Sequence, residues 1–216
     1  MKRLSPIDTL RRLYNTEFIT DLEVAAAFGH GPKSNSRLTR MVKAGELIRV
    51  KRGLYIFAPP YQHQIPNQFH LANLIYGPSY VSLESALSFY GLIPEAVVQV
   101  TSVNTTKPKL FRTAVGRFSY RCIPRGAFAA EVRSLKQGNS SSFLIASPEK
   151  SLLDKAYLDG PRSQLFAWLV DSLRIDEGSL RKLSPTVLPG LSELYSNRRF
   201  ALAVKDLSGE LCQKKL

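Results

Sequence analysis

Apolar residues recur every three to four positions over most of this chain and every second position over a few short stretches. This separates helices from strands before any motif is considered. Ile7, Leu10 and Tyr14 predict a first helix, opened by Ser5 as N-cap with Pro6 at the first helical position. Thr20-Asp21-Leu22-Glu23 is a capping box, in which Thr20 and Glu23 satisfy each other's amides, and it starts an alanine-rich helix to Phe28. After the turn at His30-Gly31-Pro32, Ser34 is placed as the N-cap of a third helix with Leu38, Met41 and Val42 inward and Gly45 as its stop. Leu47-Ile48-Arg49-Val50 and Leu54-Tyr55-Ile56-Phe57, joined by Lys51-Arg52-Gly53, predict a short hairpin. Three helices and a hairpin within about sixty residues make a winged helix-turn-helix.

Pro59-Pro60 closes that unit, so the chain divides into a head, residues 1–60, and a second domain, residues 61–216. The second domain mixes both periods. Helices are predicted from Gln68 to Tyr76, from Ser82 to Tyr90 and, behind the N-cap Ser147 and Pro148, to Leu158. Strands are predicted at Tyr80-Val81-Ser82, at Val97–Val103 and at Phe143–Ala146, with a hairpin of Lys109–Thr113 and Arg117–Ile123. The remainder reads as helix: Arg162–Leu173, Glu177–Leu183, Leu188–Tyr195 and Arg199–Leu211. The fold class is therefore α+β: an N-terminal winged helix-turn-helix, then a mixed α/β domain with a helical C-terminal half.

Charge turns this architecture toward a polyanion. The 216 residues carry a formal net charge of +13, which favours acidic partners such as nucleic acid. Residues 1–60 hold 11 Lys/Arg against 5 Asp/Glu, residues 105–136 hold 8 against Glu131 alone, and the rest of the chain balances. In the third helix, Ser36, Arg40 and Lys43 fall on one face beside Lys33, Ser34, Asn35 and Arg37, with no carboxylate among them. Arg and Asn read guanine and adenine edges in a major groove, while Lys and further Arg hold phosphates. Arg49, Lys51 and Arg52 would set the hairpin along the sugar-phosphate backbone. In the second lobe, period-2 alternation puts Arg117, Ser119 and Arg121 on one strand face and Phe118, Tyr120 and Cys122 on the other. Lys107, Lys109, Arg112 and Arg125 lie nearby in sequence and complete a second basic surface, expected to contact either extended operator DNA or RNA.

No catalytic signature emerges. Gly138-Asn139-Ser140-Ser141 is a weak echo of a nucleotidyltransferase loop, but no Asp-x-Asp follows to hold magnesium, and a turn explains it. Glu149 and Asp154 are five apart, on different sides of a helix. Cys122, Cys212 and the scattered His30, His63 and His70 form neither a disulfide framework nor a metal motif. No cofactor, no enzymatic activity and no membrane span are expected, and a cytoplasmic location is.

The segment GELIRVKRGLYIF resembles the N-terminus of the AbiEi-type antitoxins, and so do YVSLESALSFYGLIPE at 80–95, VTSVNTTK at 100–107 and IASPEKSLLDKAYL at 145–158. The resemblance implies a type IV antitoxin and transcriptional regulator that represses its own operon and counteracts a nucleotidyltransferase-type toxin, without necessarily touching it. It also carries a basic recognition helix onto Asn35, Ser36, Arg37, Arg40 and Lys43, and a wing onto Arg49, Lys51 and Arg52. The residues themselves leave two other readings open. One is a winged-helix protein- or RNA-binding module without repressor activity, and the other a nuclease with a DNA-targeting head.

Overall fold

The computed structural model describes residues 4–137, 141–161 and 163–213. The head is built from α1 (Pro6–Leu13), β1 (Phe18–Thr20), α2 (Asp21–Phe28), α3 (Pro32–Lys43), β2 (Leu47–Lys51) and β3 (Leu54–Phe57). Two of its caps form as their sequences dictate. The Ser5 hydroxyl accepts the Asp8 amide at 3.2 Å, and the Thr20/Glu23 capping box is complete. The hairpin gains a partner that alternation had not revealed: β1 pairs antiparallel with β3, giving a three-stranded sheet of order β1-β3-β2. Three residues are too few to show a period, which is why Phe18–Thr20 escaped notice.

The third helix begins earlier than its sequence suggested. Gly31 occupies the N-cap with φ 104°, Pro32 follows at the first helical position, and Ser34 lies inside the first turn with 3% of its surface exposed. Proline's fixed φ suits that first position, and glycine at φ 87° and 104° (Gly29 and Gly31) makes the sharp turn possible. Ser34 is thus a buried helix residue rather than the cap.

The second domain contains α4 (Gln68–Ile75), β4 (Tyr80–Val81), α5 (Leu83–Phe89), β5 (Gln99–Asn104), β6 (Lys109–Thr113), β7 (Gly116–Cys122), α6 (Arg125–Phe128), β8 (Val132–Leu135), β9 (Phe143–Ala146) and α7 (Pro148–Asp159). Four more helices follow: α8 (Leu165–Ala167), running into a π-helical turn at Trp168–Ser172, then α9 (Glu177–Arg181), α10 (Leu188–Glu193) and α11 (Arg198–Gln213). The strands form one mixed sheet of order β6-β7-β5-β4-β9-β8. Strands β4 and β9 are parallel, as are β5 and β7, while the other neighbours are antiparallel. The helix expected over Arg162–Leu173 begins only at Leu165, and Arg162 itself is outside the described residues, as are Gly138, Asn139 and Ser140 of the glycine-serine stretch. Strand β8 and the one-turn α6 had no expectation behind them.

The hydrophobic clusters show how the two parts join. One cluster lies among the head helices and the inward side of the head sheet: Ile7, Leu10, Ile19, Val24, Leu38, Met41, Leu47, Tyr55 and Phe57. The sheet's other side supplies Phe18, Val50, Leu54 and Ile56 to a cluster with Leu71, Ala72 and Ile75 of α4 and with Val81, Phe118, Tyr120, Phe143 and Ile145 of the large sheet. Each such apolar side chain contributes about 1.5–3 kcal/mol when removed from water, so this seam is a strong joint. A third cluster fills the space between the opposite side of the large sheet and α5 and α7–α11.

A buried ionic network fastens that last layer. Lys150 and Asp154 pair one turn apart on α7, both essentially unexposed. The Asp154 carboxylate also accepts from Tyr195 at 2.6 Å, Ser82 at 2.7 Å and Tyr80 at 3.1 Å, while Lys150 donates to the Tyr195 hydroxyl at 2.7 Å. Burial lowers the Lys150 pKa and raises those of Tyr80 and Tyr195, the Asp154 charge adding to the rise at both phenols. Removing one partner of such a pair strands the other charge in a dry interior. Lys150→Met is therefore expected to cost about 3–5 kcal/mol in urea unfolding. The double variant Lys150→Met, Asp154→Leu should recover most of it.

Candidate nucleic-acid interface

The exposed arc of α3 follows from its apolar stripe. Leu38 and Met41 turn one side into the head core, which leaves Lys33, Asn35, Ser36, Thr39, Arg40 and Lys43 on the outside. No acidic residue occupies this arc. The side chains of Lys33, Asn35, Ser36, Arg40 and Lys43 have no hydrogen bond or ion pair among the described residues, so their donors point to solvent. Thr39 was absent from the expected set because no donor pattern marks it. It lies on the same arc, with its hydroxyl tied to the Asn35 carbonyl at 2.9 Å.

Two expected members face elsewhere. Ser34 is buried, as its place in the first turn requires. Arg37 is half-buried at the edge of the arc: its guanidinium carbon sits 5.0 Å from the centre of the Phe28 ring and Nη1 donates to the Phe28 carbonyl at 3.4 Å. Arg37 therefore braces α3 against α2 through a cation–π contact.

The wing is shorter and more committed than its sequence implied. The turn is Arg52-Gly53, with Gly53 at φ 78° and the Asp21 carboxylate packed where a side chain would stand. Arg49 and Arg52 are exposed. Lys51 is not available to a backbone phosphate: its Nζ donates to the carbonyls of Leu74 at 3.0 Å and Ile75 at 2.6 Å. A cation at a helix C-terminus answers unsatisfied carbonyls and the negative end of the dipole. Partial burial lowers the Lys51 pKa. Lys51 is thus a strut between the wing and α4.

The second basic surface separates into parts. Arg112 and Arg117 stand directly opposite each other across β6 and β7, both exposed, next to the Leu110–Ser119 pair. Like charges placed so repel, and an approaching polyanion would relieve that repulsion. Lys109 opposes Tyr120 further along the hairpin, Lys107 precedes β6, and Arg125 opens α6 beyond the end of β7. All three are exposed. Arg121, which alternation had grouped with Arg117, is instead bound to Asp159 at 2.9 and 3.1 Å. Lys155 joins the same carboxylate and Glu84. Arg121 is thereby neutralised and leaves the phosphate-facing set. As expected, Phe118 and Tyr120 turn inward.

These parts meet at the last turn of α4. Lys51 of the wing caps Leu74 and Ile75 there. The next residue, Tyr76, packs edge-on against Tyr120 at 5.3 Å and lies 5.9 Å from Phe111, on the basic hairpin. Among the described residues no group of three or more His, Cys, Asp or Glu is arranged to hold a metal, and no helix is long and apolar enough to cross a membrane.

A helix with an exposed Arg/Lys/Asn face in front of a three-stranded winged sheet gives the head the architecture of a winged helix. Residues 8–58 match the family model described as "Transcriptional regulator, AbiEi antitoxin". The match spans the head from α1 to the end of β3, where it bears out the AbiEi-type resemblance and supports a DNA-binding antitoxin role; it does not reach the second-domain segments. A search of curated proteins gives no match.

Two measurements separate phosphate contacts from struts. Arg52→Ala should reduce the slope of log affinity against log salt by about 0.9, one counterion's worth, with thermal stability unchanged. Lys51→Ala should leave that slope alone and lower the melting temperature.

Asp159 offers a test by pH. Burial alone would raise its pKa, but hydrogen bonds and charge from Lys155 and Arg121 outweigh this and hold it below the usual carboxylate value. A depressed carboxyl contributes stability above its unfolded pKa and loses it as pH falls through the folded one. Denaturant midpoints measured below neutral pH should fall less steeply in Asp159→Asn than in the parent chain.

Proposed function

We propose that this protein is a DNA-binding antitoxin that represses its own toxin–antitoxin operon and counteracts a nucleotidyltransferase-type toxin, without needing to contact that toxin. The observation carrying this reading is the face of α3, where Lys33, Asn35, Ser36, Arg40 and Lys43 project unpaired donors and no acid. Such a face is costly to leave self-repelling and is suited to a phosphate-lined groove. Arg49 and Arg52 would hold the flanking backbone. The Arg112–Arg117 pair would extend contact to operator DNA beyond the groove.

Its action is binding rather than catalysis. The best-developed cluster of titratable groups, Lys150, Asp154, Tyr80 and Tyr195, is sealed in the interior with its members bonded to each other. A repressor of this kind works in the compartment that holds the chromosome, which places it in the cytoplasm.

Mobility shifts at fixed salt test the proposal. A promoter fragment from upstream of the operon should bind more tightly than random duplex of equal length. Arg40→Ala or Asn35→Ala should each forfeit about 1–3 kcal/mol of that preference while retaining non-specific affinity. Charge reversal at Arg112 and Arg117 together should flatten the salt dependence. Equal affinity for promoter and random DNA overturns the repressor assignment.

A further inference from the structure

The large sheet carries an open groove, about 910 Å³, on the side facing away from α4 and the head. Its floor is made by Thr101 of β5, Ser119 and Arg121 of β7 and Leu110 of β6, and its wall by Leu83 and the segment Ile93–Val98. Aliphatic groups dominate it, and two of them are poorly covered: Val98 is 91% exposed and Leu110 53%. Isolated apolar side chains on a surface are ordinary, but several lining one concavity mark an interaction site. Strand β6 forms the outer edge of the sheet, so its far side has no neighbouring strand. Backbone groups on such an edge can pair with an added strand.

The charges around the groove say what fits it. Its acids are already answered, Glu84 by Lys155 and Glu95 by Arg174, and Arg121 is held by Asp159. The cations left over are Lys109, on the edge strand that lines the groove, and the Arg112–Arg117 pair two rungs beyond Leu110. The mouth is therefore positive beside an aliphatic wall. Single-stranded nucleic acid fits it poorly, because bases bind by stacking on exposed rings and the aromatic residue here, Tyr120, is 1% exposed.

We infer that this groove is a protein-docking site, separate from the DNA-binding face of α3. Its occupant is an extended segment of a partner protein that pairs with the free edge of β6. Large aliphatic side chains of that segment sit on Leu110 and Val98, and the alternate carboxylates, turned to the other face of the strand, meet Lys109. The second domain thereby has a recognition surface of its own.

Fluorescence anisotropy with the full chain tests this, using a labelled synthetic peptide in which leucine or isoleucine alternates with aspartate or glutamate. Methyl-selective NMR spectra locate it. The peptide should bind and shift the methyl signals of Val98, Leu110, Ile93 and Leu83. Versions with serine for the aliphatic residues, or lysine for the acids, should bind at least about tenfold more weakly. Leu110→Asp, at an exposed position, should weaken the parent peptide by about tenfold or more while melting temperature stays unchanged, and Lys109→Glu should weaken it similarly with the same melting temperature. The inference is overturned if the serine peptide binds equally, if the methyl shifts fall elsewhere, or if a single-stranded RNA oligonucleotide displaces the peptide from these residues. Concentration-dependent dimerisation abolished by Leu110→Asp would also overturn it, by assigning the groove to a second copy of this chain.

Discussion

Both faces of the three-stranded head sheet are packed, with only Arg49 of its edge strand exposed, and the rest of the molecule is arranged around that constraint. Tyr55, Phe57, Ile19 and Leu47 point into the head helices, while Phe18, Val50, Leu54 and Ile56 point into α4 and the large sheet. A strand buried on both sides cannot slip in register without exposing one set of side chains and burying charge in its place. The wing is therefore held in position before any DNA arrives. Lys51 completes the joint by answering carbonyls that α4 would otherwise leave without a partner. The linker adds a further clip: the amide of His63 donates to the buried Glu17 carboxylate at 3.2 Å, and Glu17 pairs with Arg11.

The same accounting explains which cations remain for a ligand. Total charge says little, because several basic residues are spent inside the fold. Arg37 stacks on Phe28, Lys51 caps α4, Arg121 and Lys155 share Asp159, and Lys150 is sealed beside Asp154. Among the exposed cations, two groups stand together: the arc of α3 with Arg49 and Arg52 of the wing, and those on or flanking the β6–β7 hairpin. Desolvated pairs hold the structure together, and solvated unpaired charges form the candidate binding surfaces.

Much of this was legible in the order of residues. The capping box at Thr20, the proline opening α1, the apolar stripe of α3 and the inward Phe118 and Tyr120 all follow from local rules, and all appear in the structure. The class of fold and the basic face of α3 came from the same rules. What escaped was non-local. Phe18–Thr20 becomes a strand only because β3 lies beside it. Lys51 and Arg52 are indistinguishable in sequence, yet α4 claims one of them. Arg121 differs from Arg117 only in having Asp159 within reach, thirty-eight residues further on. The aliphatic groove belongs here too, since its lining comes from four separated segments.

The double-faced sheet also limits how this protein can be rebuilt. Cutting after Pro60 would leave Phe18, Val50, Leu54 and Ile56 as a bare greasy panel, so an isolated head would tend to stick to itself. Grafting a differently addressed winged helix onto the same body would succeed only if the newcomer brought side chains shaped for α4 and a substitute for Lys51. A change of binding preference is better made on the outer arc of α3, where neighbours place no demand on shape.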